Sequence, residues 1–508
     1  MSTKIRRQSI LSSIVIYIGF AIGFLNTYFF TRGDDFSTEQ YGLITLVTSS
    51  VVPLMASLSS MAMPTFIYKF FPFYNDNLEP PHRDMLGVAL LVNMMGFLLV
   101  AMVGFAIEPM VATKYSAKSP LFVQYYYWVF VMGFGLTFYN VLEAYAWSLH
   151  QSVLTSYLKE VQWRVFTTVI IVLFVFKVIP DFNTFIKLYF FSFLSIAITL
   201  FVYLLVTKRL FITLAISRVT RKFRKKILKF CFFVYSANLV FTFSVAFDVI
   251  VIAAAIPDGA AKAAVFGLAQ IMTSVIQAPQ RGIVAATIPH LSQAWKNKNL
   301  DSIQRIYQRS SINMLIFASG LFVLIGLNYT DAIKTLGINR DYLLGFQAFV
   351  FLGLTKVLDL GTGVNGQIIG TSNYWRFELI SGLILLLITM PLTYFLALKL
   401  DILGPAIAQF ISTGIYNMIR IIFLYRKYKL FPFTKRTILT LMMGTIAFFV
   451  AYFLFREETG WAALIIRSMS ILLIFGSGVY FLKLSPDLEP MLQSLGKRLR
   501  KDSENTDR

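Results

Sequence analysis

The hydrophobic positions of this chain are gathered into long runs, and the polar positions are concentrated between them. Each run reaches about 20 residues, the length that a helix needs to cross the hydrocarbon core of a bilayer. Short segments of strict alternation, which are typical of outer-membrane barrels, do not occur. The pattern predicts an all-α polytopic membrane protein with fourteen transmembrane helices. We place these spans at 9–30, 41–70, 85–109, 121–149, 162–180, 183–206, 228–256, 263–291, 311–329, 343–370, 377–398, 403–425, 437–455 and 462–482.

The composition agrees with a membrane protein and excludes several kinds of functional site. Of the 508 residues, 57% are hydrophobic and 14% are charged, whereas soluble domains carry about 25% charged residues. The single cysteine, Cys231, excludes a disulfide framework and a cysteine-based metal site. No connection between the spans is long enough to hold a catalytic domain. We therefore expect a protein that is not an enzyme and that needs neither a metal nor a cofactor.

The charged residues indicate the orientation in the membrane. Most of the 46 Lys and Arg residues lie in segments on the same side as the N-terminus. By the positive-inside rule, both termini are predicted to be cytoplasmic. The formal net charge of +21 therefore reflects the orientation of the chain in the membrane and does not indicate a nucleic-acid partner. Charged residues near the span ends are counted with the connections, which leaves Arg281, Lys356, Glu143, Asp248 and Asp359 as the charged residues inside the spans.

The densest basic cluster divides the chain near its middle. It reads RVTRKFRKKILK over residues 218–229, and it serves either as a stop signal and linker or as an attractor of anionic lipid or a diphosphate head group. The predicted domains are an N-terminal six-helix lobe (1–210), a basic cytoplasmic linker (211–227), a C-terminal six-helix lobe (228–430), helices 13 and 14 (431–483) and a polar cytoplasmic tail (484–508).

An internal repeat relates the two lobes. At a constant offset of 225 residues, YGLITLVTSSVVP from Tyr41 aligns with FGLAQIMTSVIQAP from Phe266. The identical pairs include Gly42 with Gly267, Thr48 with Thr273, Ser49 with Ser274, Pro64 with Pro289, Thr137 with Thr362 and Asn140 with Asn365. This offset predicts two parallel six-helix repeats, an architecture of transporters whose substrate path lies between the halves.

With its pattern of six, six and two spans, the chain resembles the bacterial oligosaccharide flippases. The resemblance includes YGL at the start of the second span and GPAIAQFIS (404–412) in the twelfth. These flippases belong to the multidrug/oligosaccharidyl-lipid/polysaccharide exporter superfamily. The resemblance implies two six-helix lobes in a V, a central hydrophilic cavity, and transfer of an undecaprenyl-diphosphate-linked sugar to the outer leaflet. The lipid II flippase branch shares the span count, whereas the drug-exporting branch typically has twelve spans.

Lys356 and Asp359 are the most conspicuous charges inside a span. They are three residues apart, which places them on one face of a helix, and an ionised lysine at bilayer depth is costly unless it faces protein or water. Nearby glycines, among them Gly361 and Gly363, permit local unwinding. The pair is either a packing device or part of a cavity wall whose lysine meets a substrate phosphate.

Arg281 is the second predicted intramembrane cation. Gln270 and Gln277 share its helix face at spacings of eleven and four residues, so the three form one polar stripe. A guanidinium suits phosphate oxygens well because it presents a planar fork of donors. The stripe lines either the substrate cavity or the protein interior near Pro279.

Four further polar residues are candidates for binding or coupling. Asp248 pairs with a cation, binds H⁺ or Na⁺, or stays neutral, whereas Glu143 lies nearer the cytoplasmic end of its span. The repeat-matched Asn140 and Asn365 either contact sugar hydroxyls or join helices. These residues complete the predicted site.

The predicted function is a flippase that works by alternating access through a cationic cavity, with Arg281 and Lys356 neutralising the diphosphate. Coupling to H⁺, to Na⁺ or to the membrane potential stays open, with Asp248 and Asp359 as the groups to test. The alternatives are a lipid II flippase, a cation-coupled drug exporter, and a membrane-embedded polymerase or acyltransferase. The expected partners are lipid-linked oligosaccharide, membrane lipids, and the polysaccharide polymerase and glycosyltransferases of a surface-polysaccharide pathway. The expected location is the bacterial inner membrane.

Overall fold

The computed structural model describes the backbone of residues 3–149, 151–374, 376–455 and 458–487, and their side chains except those of residues 3–14, 279, 281, 282, 285, 286 and 289. Throughout these residues the chain is helical with short connections and no β-strand. The predicted all-α polytopic class is confirmed.

The helices follow one another along the chain with few residues between them. They are α1 (Thr3–Thr31), α2 (Thr38–Leu46), α3 (Val52–Ser60), α4 (Met63–Asn77), α5 (Met85–Tyr115), α6 (Pro120–Gln124), α7 (Tyr126–Ser148), α8 (Ser152–Ser156), α9 (Trp163–Val175), α10 (Phe182–Phe190), α11 (Ser192–Val206), α12 (Arg218–Ala255), α13 (Gly259–Lys296), α14 (Leu300–Thr335), α15 (Phe346–Gly361), α16 (Asn365–Thr371), α17 (Arg376–Leu400), α18 (Leu403–Tyr428), α19 (Lys435–Leu454) and α20 (Gly460–Phe481). Turns of π-helix at Val47–Val51 and Tyr157–Gln162 join α2 to α3 and α8 to α9.

Twelve helical segments of the described chain are long and apolar enough to cross a membrane. The part of α1 whose side chains the structure describes, Val15–Thr31, is also apolar. The predicted span at 162–180 corresponds to α9, which has 13 residues. The count of fourteen and the cytoplasmic position of the termini stay predictions.

The chain divides into two compact units. The N-terminal unit ends at Ala264 and the C-terminal unit begins at Val265, so α12 packs with the helices that precede it. The basic cluster at 218–229 forms the first turns of α12. The predicted lobe boundaries at 210 and 228 stay predictions.

The second predicted span is broken inside the N-terminal unit. Met61 and Ala62 adopt left-handed φ angles of 43° and 62°, and Pro64 lies in the first turn of α4. Proline is favoured where a helix begins, because no intrahelical acceptor is available there for the N–H group that it lacks. The hydropathy pattern of 41–70 is continuous and gave no sign of this break.

The hydroxyl pairs of the predicted repeat donate to carbonyls of their own helix in both units, four residues back in the first unit and three residues back in the second. Thr48 and Ser49 donate to the carbonyls of Ile44 and Thr45 at 2.6 and 2.5 Å. The equivalent Thr273 and Ser274 also donate to carbonyls of their own helix, at 3.0 and 2.6 Å. Back-bonding of this kind satisfies a hydroxyl in an apolar setting and bends helices.

The start of α12 is anchored to the rest of the N-terminal unit. The buried Asp84 carboxylate accepts hydrogen bonds from the Ser217 N–H at 2.8 Å and from the Thr220 hydroxyl at 2.7 Å. The Thr220 hydroxyl also lies 2.7 Å from that of Tyr74, and Ser217 caps the helix. The basic turns of α12 therefore begin from a fixed point.

A glycine allows α2 to approach the first turn of α13. A Cβ atom on Gly42 would lie 1.8 Å from the carbonyl oxygen of Ala260. We expect Gly42→Ala to lower stability by about 2 kcal/mol or more, because backbone must move to admit the methyl group. Gly382→Ala is the control, since beyond its own helix no atom of the described residues lies within 4 Å of its added Cβ. Thermal unfolding in detergent checks the prediction, and equal midpoints for the two variants would contradict it.

In the C-terminal unit, α14 packs against α15, α19 and α20. Arg467 of α20 forms a buried ion pair with Asp331 of α14 at 2.5 Å. The same guanidinium donates to the carbonyls of Leu327, Phe455 and Glu458 at 3.2, 2.9 and 3.0 Å. This arginine is fully engaged and fixes the end of α20, so its role is structural.

Candidate functional site

A cavity of about 560 Å³ lies inside the N-terminal unit. Its volume is in the range of sites for small molecules. The walls come from α3, α4, α7, α9, α11, α12 and the π-helical turn before α9. Of the predicted binding residues, Asn140 and Glu143 line this cavity.

Two ion pairs line the cavity. Lys159 Nζ lies 3.1 Å from Glu143 Oε2, and Arg164 Nη1 lies 2.5 Å from Glu160 Oε2. The exposed fractions are 42% for the Lys159 side chain and 17% for that of Arg164, whereas Glu143 keeps 9%. The wall therefore carries two cations and two carboxylates that balance each other.

The π-helical turn Tyr157–Gln162 positions the charges of this wall. A π-turn adds a residue to the helical ladder and is frequent at functional sites. Lys159 and Glu160 belong to this turn, and Arg164 follows it in α9. The predicted spans leave Lys159 and Glu160 in a connection before the span at 162–180, whereas in the structure they belong to the helical turn that continues into α9.

Aromatic and amide side chains complete the wall. The Trp163 ring stacks on Phe193 with centroids 5.0 Å apart, and its indole N–H donates to Ser192 at 3.1 Å. Tyr68 and the amide of Asn238 also face the cavity. Aromatic faces and amide groups are the side chains that bind the apolar faces and hydroxyls of sugars.

A second polar cluster lies within the C-terminal unit, where α15 ends. The Asp359 carboxylate accepts from the Asn417 amide at 2.9 Å, and the Asn417 carbonyl accepts from Asn365 at 2.8 Å and from Thr362 at 3.0 Å. Asn365 and Asn417 are buried. These bonds join α15, α16 and α18, which is the helix-joining alternative for Asn365.

The cluster continues to a buried cation that sequence analysis missed. Arg420 pairs with Glu378, donates to the Asn365 carbonyl oxygen at 3.3 Å and lies over the Tyr416 ring at 3.8 Å. Only 7% of the Arg420 side chain is exposed. Arg420 lies five residues before the predicted end of its span and was grouped with the basic residues beyond it. The signal was available in its i, i+3 spacing from Asn417, which puts two polar residues on one apolar helix.

Lys356 and Asp359 both lie in α15, within the C-terminal unit. Among the described residues they make no ion pair within 4.0 Å of each other. Lys356 is half-buried, and the Asp359 carboxylate is held by Asn417. Lys356 therefore does not form an ion pair with Asp359.

The remaining predicted residues are distributed between the units. Asp248 is buried in α12 of the N-terminal unit. Gln270 and Gln277 lie in α13 of the C-terminal unit, and Gln277 donates to Gln280 at 2.8 Å. The side chain of Arg281 lies outside the described residues. The repeat-matched asparagines have different surroundings, since Asn140 lines a cavity and Asn365 belongs to a closed cluster.

Comparison with solved structures identifies the fold. The chain is similar to a structure described as lipid II flippase MurJ in an inward closed conformation, with a TM-score of 0.72, 16% identity, and coverage of 93% of this chain and 99% of that one. It is also similar to an inward-facing multidrug resistance MATE family transporter of the MOP superfamily, with a TM-score of 0.61, 14% identity, and coverage of 80% and 96%. No family model and no curated protein matches the sequence. The chain has the fold of membrane flippases and transporters.

Proposed function

We propose that this protein flips a polyprenyl-diphosphate-linked oligosaccharide from the cytoplasmic to the outer leaflet of the bacterial inner membrane, for surface-polysaccharide synthesis. The observation that carries the proposal is the cavity of the N-terminal unit, which combines two cations, two carboxylates, amides and aromatic rings. Such a mixture suits a head group with both sugar and diphosphate. The fold shared with a flippase supports it.

The substrate chemistry explains why these side chains are needed together. A sugar head group and a charged diphosphate cannot cross hydrocarbon unaided, because burying unpaired polar groups costs several kcal/mol each. A polar cavity at bilayer depth replaces the lost water, while the polyprenyl tail stays in lipid. The protein needs no covalent chemistry for this step, in line with a transporter that is not an enzyme.

The ion pairs supply a way to accept and release the diphosphate. Lys159 and Arg164 hold carboxylates in the resting cavity, and both cations line its wall. A diphosphate that enters can therefore compete with the carboxylates for these cations. When it leaves, Lys159 and Arg164 pair with Glu143 and Glu160 again, which restores the resting cavity.

The negative charge of the diphosphate also provides a driving force for its transport. A membrane potential that is negative inside favours outward movement of an anion by about 2.3 kcal/mol per charge per 100 mV. H⁺ or Na⁺ exchange at Asp248 or Asp359 is the alternative source of energy in our proposal. We infer no bound cofactor. Polysaccharide polymerases and glycosyltransferases are the protein partners that this role implies.

Lipid II is the second candidate substrate, because the MurJ fold matches over nearly the whole of both chains. Reconstituted liposomes distinguish the candidates when they contain either a polyprenyl-diphosphate oligosaccharide or lipid II, with an external sugar-cleaving enzyme reporting what reaches the outer leaflet. Our proposal expects protein-dependent exposure of the oligosaccharide substrate. If only lipid II were exposed, the substrate would be lipid II and our proposal would be wrong.

Substitution of the carboxylates distinguishes both flippases from a drug exporter. Glu160→Gln leaves the Arg164 cation without its acid, so we expect flipping of an anionic head group to be kept or increased. A transporter of cationic drugs needs the carboxylate and would lose activity. Loss of transport in Glu160→Gln, with unchanged protein level, would contradict an anionic substrate.

A further inference from the structure

A second cavity, of about 480 Å³, lies at one end of the C-terminal unit. Arg305 and Arg309 of α14 line one wall, and Lys435 and Arg436 of α19 line the other. Four cations from two helices thus surround a space larger than a single ion. This cavity shares no residue with the cavity of the N-terminal unit.

The walls of this cavity are held in place. The Gln304 side chain donates to the Phe431 carbonyl at 2.7 Å and accepts from the Phe431 N–H at 3.0 Å. Asn313 donates to Asp487 at 2.6 Å and accepts from Ser485 at 2.8 Å. These bonds fix α14 against the segments on either side, so the helix ends that carry the four exposed cations keep their spacing without a ligand.

The balance of charge in the cavity is positive. Among the residues that the structure describes, the ion pairs of these four cations are limited to Arg309 with Asp487, at 3.7 Å and with both side chains about half exposed. The N-terminus of α19 adds to this field, since the first N–H groups of a helix have no intrahelical acceptor and carry partial positive charge. Arginine forks and helix N-termini are groups that bind phosphate.

The position of the cavity points to the source of the phosphate. Arg309 lies two residues before the predicted span at 311–329, and Arg436 lies one residue before the span at 437–455. Both are therefore at the depth of lipid head groups. Basic pockets between membrane helices on the cytoplasmic side bind anionic head groups, and the charge distribution predicts that this end is cytoplasmic.

We propose that this cavity binds the head group of an anionic phospholipid, separately from the transported substrate. A phosphodiester bound between Arg305 and Arg309 of α14 and the start of α19 would link these two helices. The lipid would act as a fixed support for the C-terminal unit. Because no residue is shared with the N-terminal cavity, this proposal stands or fails independently of the proposed function.

Native mass spectrometry of the purified full chain with phosphatidylglycerol tests the proposal. We expect Lys435→Gln/Arg436→Gln to weaken retention of this lipid by roughly tenfold or more, since two charge-assisted contacts are lost. Lys296→Gln/Lys298→Gln is the matched control, because it removes the same charge from exposed positions outside the cavity. Equal loss in both variants, or no loss in the first, would overturn the proposal.

A second measurement separates a lipid head group from free phosphate. We expect phosphatidylglycerol to raise the thermal midpoint of the wild type above that in phosphatidylcholine, and Arg305→Gln/Arg309→Gln to abolish this rise. Glycerol 3-phosphate at millimolar concentration is expected to give little rise. A full rise with glycerol 3-phosphate and none with the lipid would show a site for soluble phosphate and overturn the lipid assignment.

Discussion

Replacing Lys159 and Arg164 by glutamine, each together with its carboxylate partner, is expected to slow flipping by roughly a hundredfold or more. Each charge-assisted hydrogen bond to a phosphate contributes about 1.5–3 kcal/mol, and 1.4 kcal/mol corresponds to a factor of ten. Loss of both cations therefore removes most of the affinity for the diphosphate. The rate is measured in liposomes with polyprenyl-diphosphate oligosaccharide.

Paired substitution keeps this test separate from folding. Lys159→Gln alone would leave the buried Glu143 carboxylate without its cation, so Glu143→Gln accompanies it, and Glu160→Gln accompanies Arg164→Gln. The control is Arg32→Gln/Asp34→Asn, which removes an exposed ion pair outside the cavity and is expected to leave the rate unchanged. Normal flipping by the cavity variants would rule out a role for these cations.

The second large effect concerns stability. Arg420→Met is expected to destabilise the protein by about 3 kcal/mol, because removal of one member of a buried pair strands the other. The value is at the lower end of the usual range, since 39% of the Glu378 side chain is exposed. The bond to Asn365 is lost as well. Thermal unfolding in detergent measures the change.

A double variant shows whether the effect comes from the unpaired acid. We expect Arg420→Met/Glu378→Met to recover much of the stability, since apolar replacement of a whole buried pair is often tolerated. Arg420→Lys is expected to remain destabilised, because an ammonium group cannot reproduce the planar fork or the contact with the Tyr416 ring. If Arg420→Met were as stable as the wild type, the ion pair of Arg420 with Glu378 would contribute nothing to the stability of the fold.

The sequence predicts the membrane class because hydropathy and length are properties of each segment alone. The break at Met61 and Ala62 could not be predicted in this way, since both residues are apolar and lie within a continuous apolar run. The stretch 157–162 was misplaced for the opposite reason. Its polar residues look like a loop, but tertiary contacts hold them in a helix that lines a cavity.

The candidate site was harder to predict than the fold, because it depends on pairs of residues far apart in the chain. Glu143 is predicted near the membrane interface, and its partner Lys159 is evident only from the ion pair that joins α7 to the π-helical turn. The spacing of Arg420 from Asn417 marks a polar helix face, but the ion pair itself cannot be predicted, because the acid Glu378 lies 42 residues away on another helix. Asn140 and Asn365, matched by the repeat, reach different environments because the side chains around them differ.

The central claim is that the N-terminal cavity is wet and holds the head group of the substrate. Its most direct test is thiol labelling of Asn140→Cys in a Cys231→Ser background, with Val202→Cys on the exposed surface of α11 as the control. We predict that a water-soluble maleimide labels position 140 but not position 202, and that polyprenyl-diphosphate oligosaccharide protects position 140. Failure of the maleimide to reach position 140, or labelling that the substrate leaves unchanged, would contradict the account.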